Sequence, residues 1–210
     1  MQTQEQSVQD DLAFMRALVE ARDNAQRPFG EVYLAAGLIY GVQMVLHAAQ
    51  GLGVLPASKA VALVVGLGPT VVFLAILTWI LRDEARRQGR GQPVAMVSRA
   101  TQAVFGAVGL ANVALAATIG AAALRHHSLV IWLIYPCVVF ALQGAAWLVT
   151  FAMRRQAWLG VVGIGWFVAA FAMGLTIDSL AYYVLIAGIA FLLLMVVPGA
   201  VMIALARKNA

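Results

Sequence analysis

Charge is scarce in this sequence and cysteine nearly absent. Only 11% of its 210 residues are charged and 63% are hydrophobic, against about 25% and about 45–50% in soluble globular domains. The mean hydropathy is +0.89. An ordinary soluble core is thereby excluded, and lipid is the expected solvent for most of the chain. The single cysteine, Cys137, has no partner for an internal disulfide, so no oxidising-compartment framework is implied. No short apolar core with a cleavage site occurs in residues 1–28, so no signal peptide is expected and the first span would direct insertion.

Charge is also missing from the places where membrane proteins use it. No Asp, Glu, Lys or Arg falls in the middle of an apolar run, and Glu31 and Asp178 stand at edges. Intramembrane acids and cations mark proton relays, voltage sensors and counter-ions. A proton antiporter, a voltage sensor and a retinal Schiff-base protein are therefore disfavoured. The sequence shows no nucleophile with a base, paired carboxylates, metalloprotease helix motif or phosphate loop, so no enzyme is expected. Its three histidines are His47, His126 and His127. They form no pair at matched depth on facing spans, and no Cys or carboxylate completes a ligand set, so neither metal, haem nor other cofactor is expected.

What the sequence does contain is apolar length. Crossing roughly 30 Å of hydrocarbon takes about 20 helical residues, and six runs qualify, at 32–55, 60–81, 101–124, 129–153, 158–176 and 180–206. The fold expected is all-α and polytopic, with six transmembrane helices in one bundle (residues 29–210). It is preceded by a cytoplasmic amphipathic helix (residues 1–28), in which Val8, Leu12, Met15 and Val19 share a face. Ser7 would cap that helix, and Pro28 with Gly30 would break it before the membrane.

Twelve of the fourteen cations fall in segments that share one side if all six runs cross. Only Lys59 and Arg125 fall opposite. This positive-inside asymmetry places both termini in the cytoplasm and accounts for the basic charge without nucleic acid. Twelve Arg against two Lys, with abundant Ala and Gly, points to a GC-rich bacterial genome and an inner membrane. Residues 1–28 are net acidic and the segment from Arg82 to Arg99 net basic, so the N-terminal helix is expected to dock under the bundle near that segment.

Two short matches hint at duplication. LIY recurs at Leu38–Tyr40 and Leu133–Tyr135, and VVGLG at Val64–Gly68 is echoed by VVGIG at Val161–Gly165. Three spans per unit would make this a 3+3 inverted repeat, a plan found in many transporters. Gly106 and Gly109, with Ala103 and Ala107, are expected to let helices approach closely. Trp132, Trp158, Tyr182 and Tyr183 are expected to anchor at membrane interfaces.

The most informative stretch is LIYGVQMVLHAAQG, Leu38–Gly51. At 100° per residue Tyr33, Tyr40, Gln43, His47 and Gln50 line one stripe, which must face protein or water rather than hydrocarbon. Gln43, Asn112 and Gln143 each lie near the middle of a span, so three carboxamides from three helices are expected at one depth. Pro69 and Pro136 should free the carbonyls of Val65 and Trp132 near the depth of His47, whose ring N–H could serve one of them.

Two functions fit. One is a small-solute transporter or channel-like protein with a site formed by Tyr40, Gln43, His47, Asn112 and Gln143. The other is a non-catalytic structural or regulatory subunit, in which these residues hold helices together while the cytoplasmic helix and basic loop dock a protein partner. A water-accessible cavity at the level of Gln43 would separate them.

Overall fold

The computed structural model describes residues 26–56, 58–87 and 96–208, all helix and short connections, with no strand among them. The helices are α1 (Gln26–Gly51), α2 (Lys59–Arg87), α3 (Met96–His126), α4 (Leu129–Arg154), α5 (Ala157–Leu175) and α6 (Leu180–Phe191). A π-helical turn, Leu192–Val196, continues α6 into α7 (Val197–Lys208). Counting α6 to α7 as one rod, six helices are long and apolar enough to cross a membrane. The expected amphipathic helix of residues 1–28 and its docking near the Arg82–Arg99 segment lie largely outside the described residues.

The expected break at Pro28 and Gly30 does not occur, since α1 is helical from Gln26. Pro28 falls in the first described turn, where a missing N–H removes no intrahelical bond. Pro198 acts differently. The carbonyl it strands is that of Leu194, inside the π turn, so the rod widens where its ladder is interrupted.

Two helices are central. Helix α1 packs on α2 along one side and on the α6–α7 rod along another, whereas α4 packs on α3 and α5; α5 also meets α6. The buried core reflects this, with Tyr33 and Ala36 of α1, Phe140 and Trp147 of α4, Trp166 and Met173 of α5, and Tyr183 and Met195 of the last rod. Short connections fix the antiparallel order. Between α4 and α5 only Arg155 and Gln156 intervene, and Arg155 turns the chain in the left-handed region (φ 55°) while its N–H bonds Phe151 O at 2.7 Å. On the other side of the bundle Ser128 caps α4, its hydroxyl accepting from Ile131 N.

The glycines that allow close approach are not those expected. A Cβ at Gly106 or Gly109 would meet nothing within 4 Å, so that face of α3 touches no described part of the chain. The tight contact is between α1 and the final rod, where a Cβ on Gly37 would lie 2.6 Å from Met195 Cβ and 2.9 Å from Val196 N. From the rod side, a Cβ on Gly199 would sit 2.7 Å from Leu34 N. The association of α1 with the final rod thus rests on close backbone approach.

The same substitution at two glycines should therefore behave oppositely. Gly37→Ala should lower the stability of the detergent-solubilised protein by about 1–3 kcal/mol through overpacking. Gly106→Ala should leave it unchanged or slightly raised, through helix propensity. Equal losses in thermal unfolding would refute this packing.

Candidate functional site

The polar stripe of α1 faces protein along its length. Tyr33 and Gln43 are buried, at 5% and 7% exposure, and Tyr40, His47 and Gln50 are half-buried. Each has its own contact. Trp147 Nε1 of α4 donates to the Tyr33 hydroxyl at 2.7 Å. Tyr40 packs between Phe73 of α2 and Phe191 of α6, with ring centroids 5.4 and 6.3 Å away. Gln43 Nε2 donates to Gly66 O of α2 at 3.1 Å. His47 Nδ1 and Gln50 Oε1 lie 3.3 Å apart on successive turns of α1.

The other two amides are served elsewhere. Asn112 Oδ1 on α3 accepts from the Tyr135 hydroxyl of α4 at 2.6 Å. Gln143 on α4 is half-buried and its Oε1 has no partner. The Tyr33–Trp147 bond supplies a register between the two central helices. Counting outward from it at 1.5 Å per residue, Gln43 lies about 15 Å away and Gln143 about 6 Å. The carboxamides of α1 and α4 thus stand about 9 Å apart along the bundle, and none of the three bonds another. Of the five, Tyr40, Gln43 and Asn112 each contact a neighbouring helix, His47 pairs within α1, and Gln143 Oε1 meets no partner among the described residues.

The proline kinks are bridged in a way the sequence reading missed. Gln43 reaches the carbonyl three residues before Pro69, and Tyr183 of α6 donates to Leu133 O, three residues before Pro136, at 2.6 Å. The carbonyl four residues back is the one that loses its N–H, but bending opens the next one as well. The donors are an amide and a phenol, and the observed partner of His47 is Gln50. Tyr183, read from the sequence as an interfacial anchor, is instead 2% exposed and also 3.6 Å from Cys137 Sγ. Only its position near the start of a span had suggested the belt; the facing kink at Pro136 was the available signal for an interior role.

Four buried polar atoms lack a partner among the described residues: Gln43 Oε1, Gln50 Nε2, Gln143 Oε1 and Trp166 Nε1. Each such atom ordinarily costs about 1–3 kcal/mol. His126 and His127 are exposed at the C-terminal end of α3, and among the described residues no three His, Cys, Asp or Glu side chains cluster as a metal site.

A cleft lies at the other end of the bundle, where the arginines are. Phe29, Thr101, Gln102, Phe105, Trp147, Thr150, Arg154, Trp158, Leu159 and Met202 line a narrow, part-open cleft. Its walls are a chain of rings, Phe29 to Phe105 at 4.9 Å, Phe105 to Trp147 at 5.5 Å and Trp147 to Trp158 at 6.0 Å. None of the five residues expected to form a site lines it. In sequence these rings are scattered over four spans, and only the shared distance of each from an arginine-rich end relates them.

Comparison with known protein families, curated proteins and solved structures finds no match to this chain.

The Tyr135–Asn112 bond can be measured directly. A double-mutant cycle with Tyr135→Phe and Asn112→Leu should give a coupling of about 0.6 kcal/mol, and at most about 1.7, typical of membrane interhelical bonds. Zero coupling would show that the pair contributes nothing to holding α3 on α4.

Proposed function

We propose that this chain is a six-crossing membrane protein, set in a bacterial inner membrane with both termini cytoplasmic, that serves as a non-catalytic structural or regulatory subunit. The observation that carries this reading is the separateness of the polar contacts. Gln43 ties α1 to α2, Asn112 ties α3 to α4, and Tyr33 ties α1 to α4, each through its own pair of helices. Such a ladder holds helices in place. A solute site needs groups that converge. Partner contact falls to the cytoplasmic face, where the acidic N-terminal stretch and the arginine-rich segment between α2 and α3 offer charge of both signs.

Transport of a small polar solute is the second reading, and two observations favour it. The carboxamide oxygens of Gln43 and Gln143 are buried and unpartnered, as acceptors awaiting water or solute would be. The packing also fits a duplication, since α1 between α2 and α6 corresponds to α4 between α5 and α3 under the 3+3 repeat. The match is incomplete, because α5 packs on α6 whereas α2 and α3 find their main contacts elsewhere.

Thiol accessibility decides between them. In a Cys137→Ala background, cysteines replacing Gln43 or Gln143 should resist a membrane-impermeant thiol reagent added to either side of intact vesicles, while one replacing the exposed Gln102 reacts. Labelling at Gln43 or Gln143 would show water in the bundle and overturn the structural reading.

A further inference from the structure

The inner-end cleft combines an aromatic trough with a guanidinium. Phe29 of α1, Phe105 of α3, Trp147 and Arg154 of α4, Trp158 of α5 and Met202 of α7 meet there, so five rods contribute to one surface feature. Trp147 is 1% exposed and forms the floor, held by its bond to Tyr33. Trp158 stands half-buried at the rim, its indole N–H donating to Gln156 Oε1 at 3.0 Å. Aromatic walls alone would suit an organic cation, but Arg154 in the same wall opposes one. A small soluble anion would satisfy the guanidinium and leave the rings unfilled. What matches both parts is an anionic headgroup above an acyl chain.

Position selects the source. The cleft opens at the end of the bundle where Arg154, Arg155, Arg207 and Lys208 lie, the side that the charge asymmetry assigns to the cytoplasmic leaflet with its anionic lipids. An arginine offers five N–H donors, enough to keep an existing contact while engaging a phosphate.

We propose that this cleft is a binding site for an anionic phospholipid of the inner leaflet, whose phosphate bonds Arg154 and whose acyl chain lies along Phe105, Trp147 and Trp158. The assignment rests on the membrane reading above, and the two fail separately: protein that does not float with vesicles refutes that reading, whereas the cleft is tested in protein that does.

The test is tryptophan quenching in the full chain carrying Trp79→Phe and Trp132→Phe, which removes the two exposed indoles and leaves Trp147, Trp158 and the buried Trp166. The protein is reconstituted in zwitterionic vesicles doped with acyl-brominated phosphatidylglycerol, acyl-brominated phosphatidylcholine or a brominated free fatty acid. Half-quenching by the brominated phosphatidylglycerol should need a mole fraction about fivefold lower than by the phosphatidylcholine, the preference one basic residue gives for an anionic lipid. Arg154→Gln should abolish the preference and Arg154→Lys retain most of it. Equal quenching by the two phospholipids, a preference that survives Arg154→Gln, or stronger quenching by the free fatty acid than by phosphatidylglycerol would each overturn the assignment.

Discussion

The hydrogen bond from Trp147 to Tyr33 is the joint on which the arrangement turns. It links the two central helices, α1 and α4, each of which carries its own flanking rods. Both groups are almost wholly buried, so neither could be left unpaired without a penalty of about 1–3 kcal/mol. The bond also fixes the relative height of α1 and α4. The offset of Gln43 from Gln143 along the bundle follows from it. Rings gather around the joint, with Tyr33 against Phe29 at 5.5 Å and against Trp147 at 5.3 Å. The cleft at the arginine-bearing end is the open side of that cluster, so its floor and the bond joining α1 to α4 share one indole.

A second constraint is backbone polarity, which apolar surroundings do not tolerate unpaired. Prolines inside α2 and α4 and at the start of α7 interrupt three ladders, and three devices answer them. Gln43 donates near the kink in α2, Tyr183 near the kink in α4, and a π turn redistributes the bonds before Pro198. The first two come from neighbouring helices, so each kink is also an adhesion point between helices. A lone polar residue in an apolar span can thus be explained by a proline on the facing span, without a ligand.

Much of this was legible in the sequence and some was not, for identifiable reasons. Apolar length alone gave six long helices with ends within a few residues of those observed, because few other segments can satisfy their backbone in hydrocarbon. The stripe from Tyr33 to Gln50 was also readable, since helical period fixes which residues share a face. Partners were not, because they depend on relative height between helices, and a shift of one turn moves a contact by about 5.4 Å. That is why three amides counted from the ends of their spans came out level while the structure sets Gln143 about 9 Å from Gln43 along the bundle. The glycine face was misassigned for a related reason. Spacing shows that Gly106 and Gly109 share a face, but only packing shows that a Cβ there meets no described residue, while Gly37 lies against the π turn.

The rods are not equally anchored, and this bears on a regulatory role. Helix α2 hangs on α1 through the Gln43–Gly66 bond and the Tyr40–Phe73 contact, and it exposes Val64, Leu67, Val71 and Trp79 on its other side. Helix α3 hangs on α4 through Asn112 and the ring of Phe105, and exposes Leu110 and Val113. These two least-buried helices are the pair joined by the arginine-rich segment. The tightly packed contacts, Gly37 on Met195 and Gly144 on Gly163, belong to α1, α4, α5 and the last rod. Under the regulatory reading proposed above, a partner at the basic segment would act on the two helices that make the fewest close backbone contacts. The cleft has one wall on α3, at Phe105, so a displacement of α3 would change that wall and leave the floor on Trp147 in place. Under the regulatory reading, partner binding at the basic segment and lipid occupancy at the inner end act on the same helix and are thermodynamically linked, each altering the affinity of the other by the same factor.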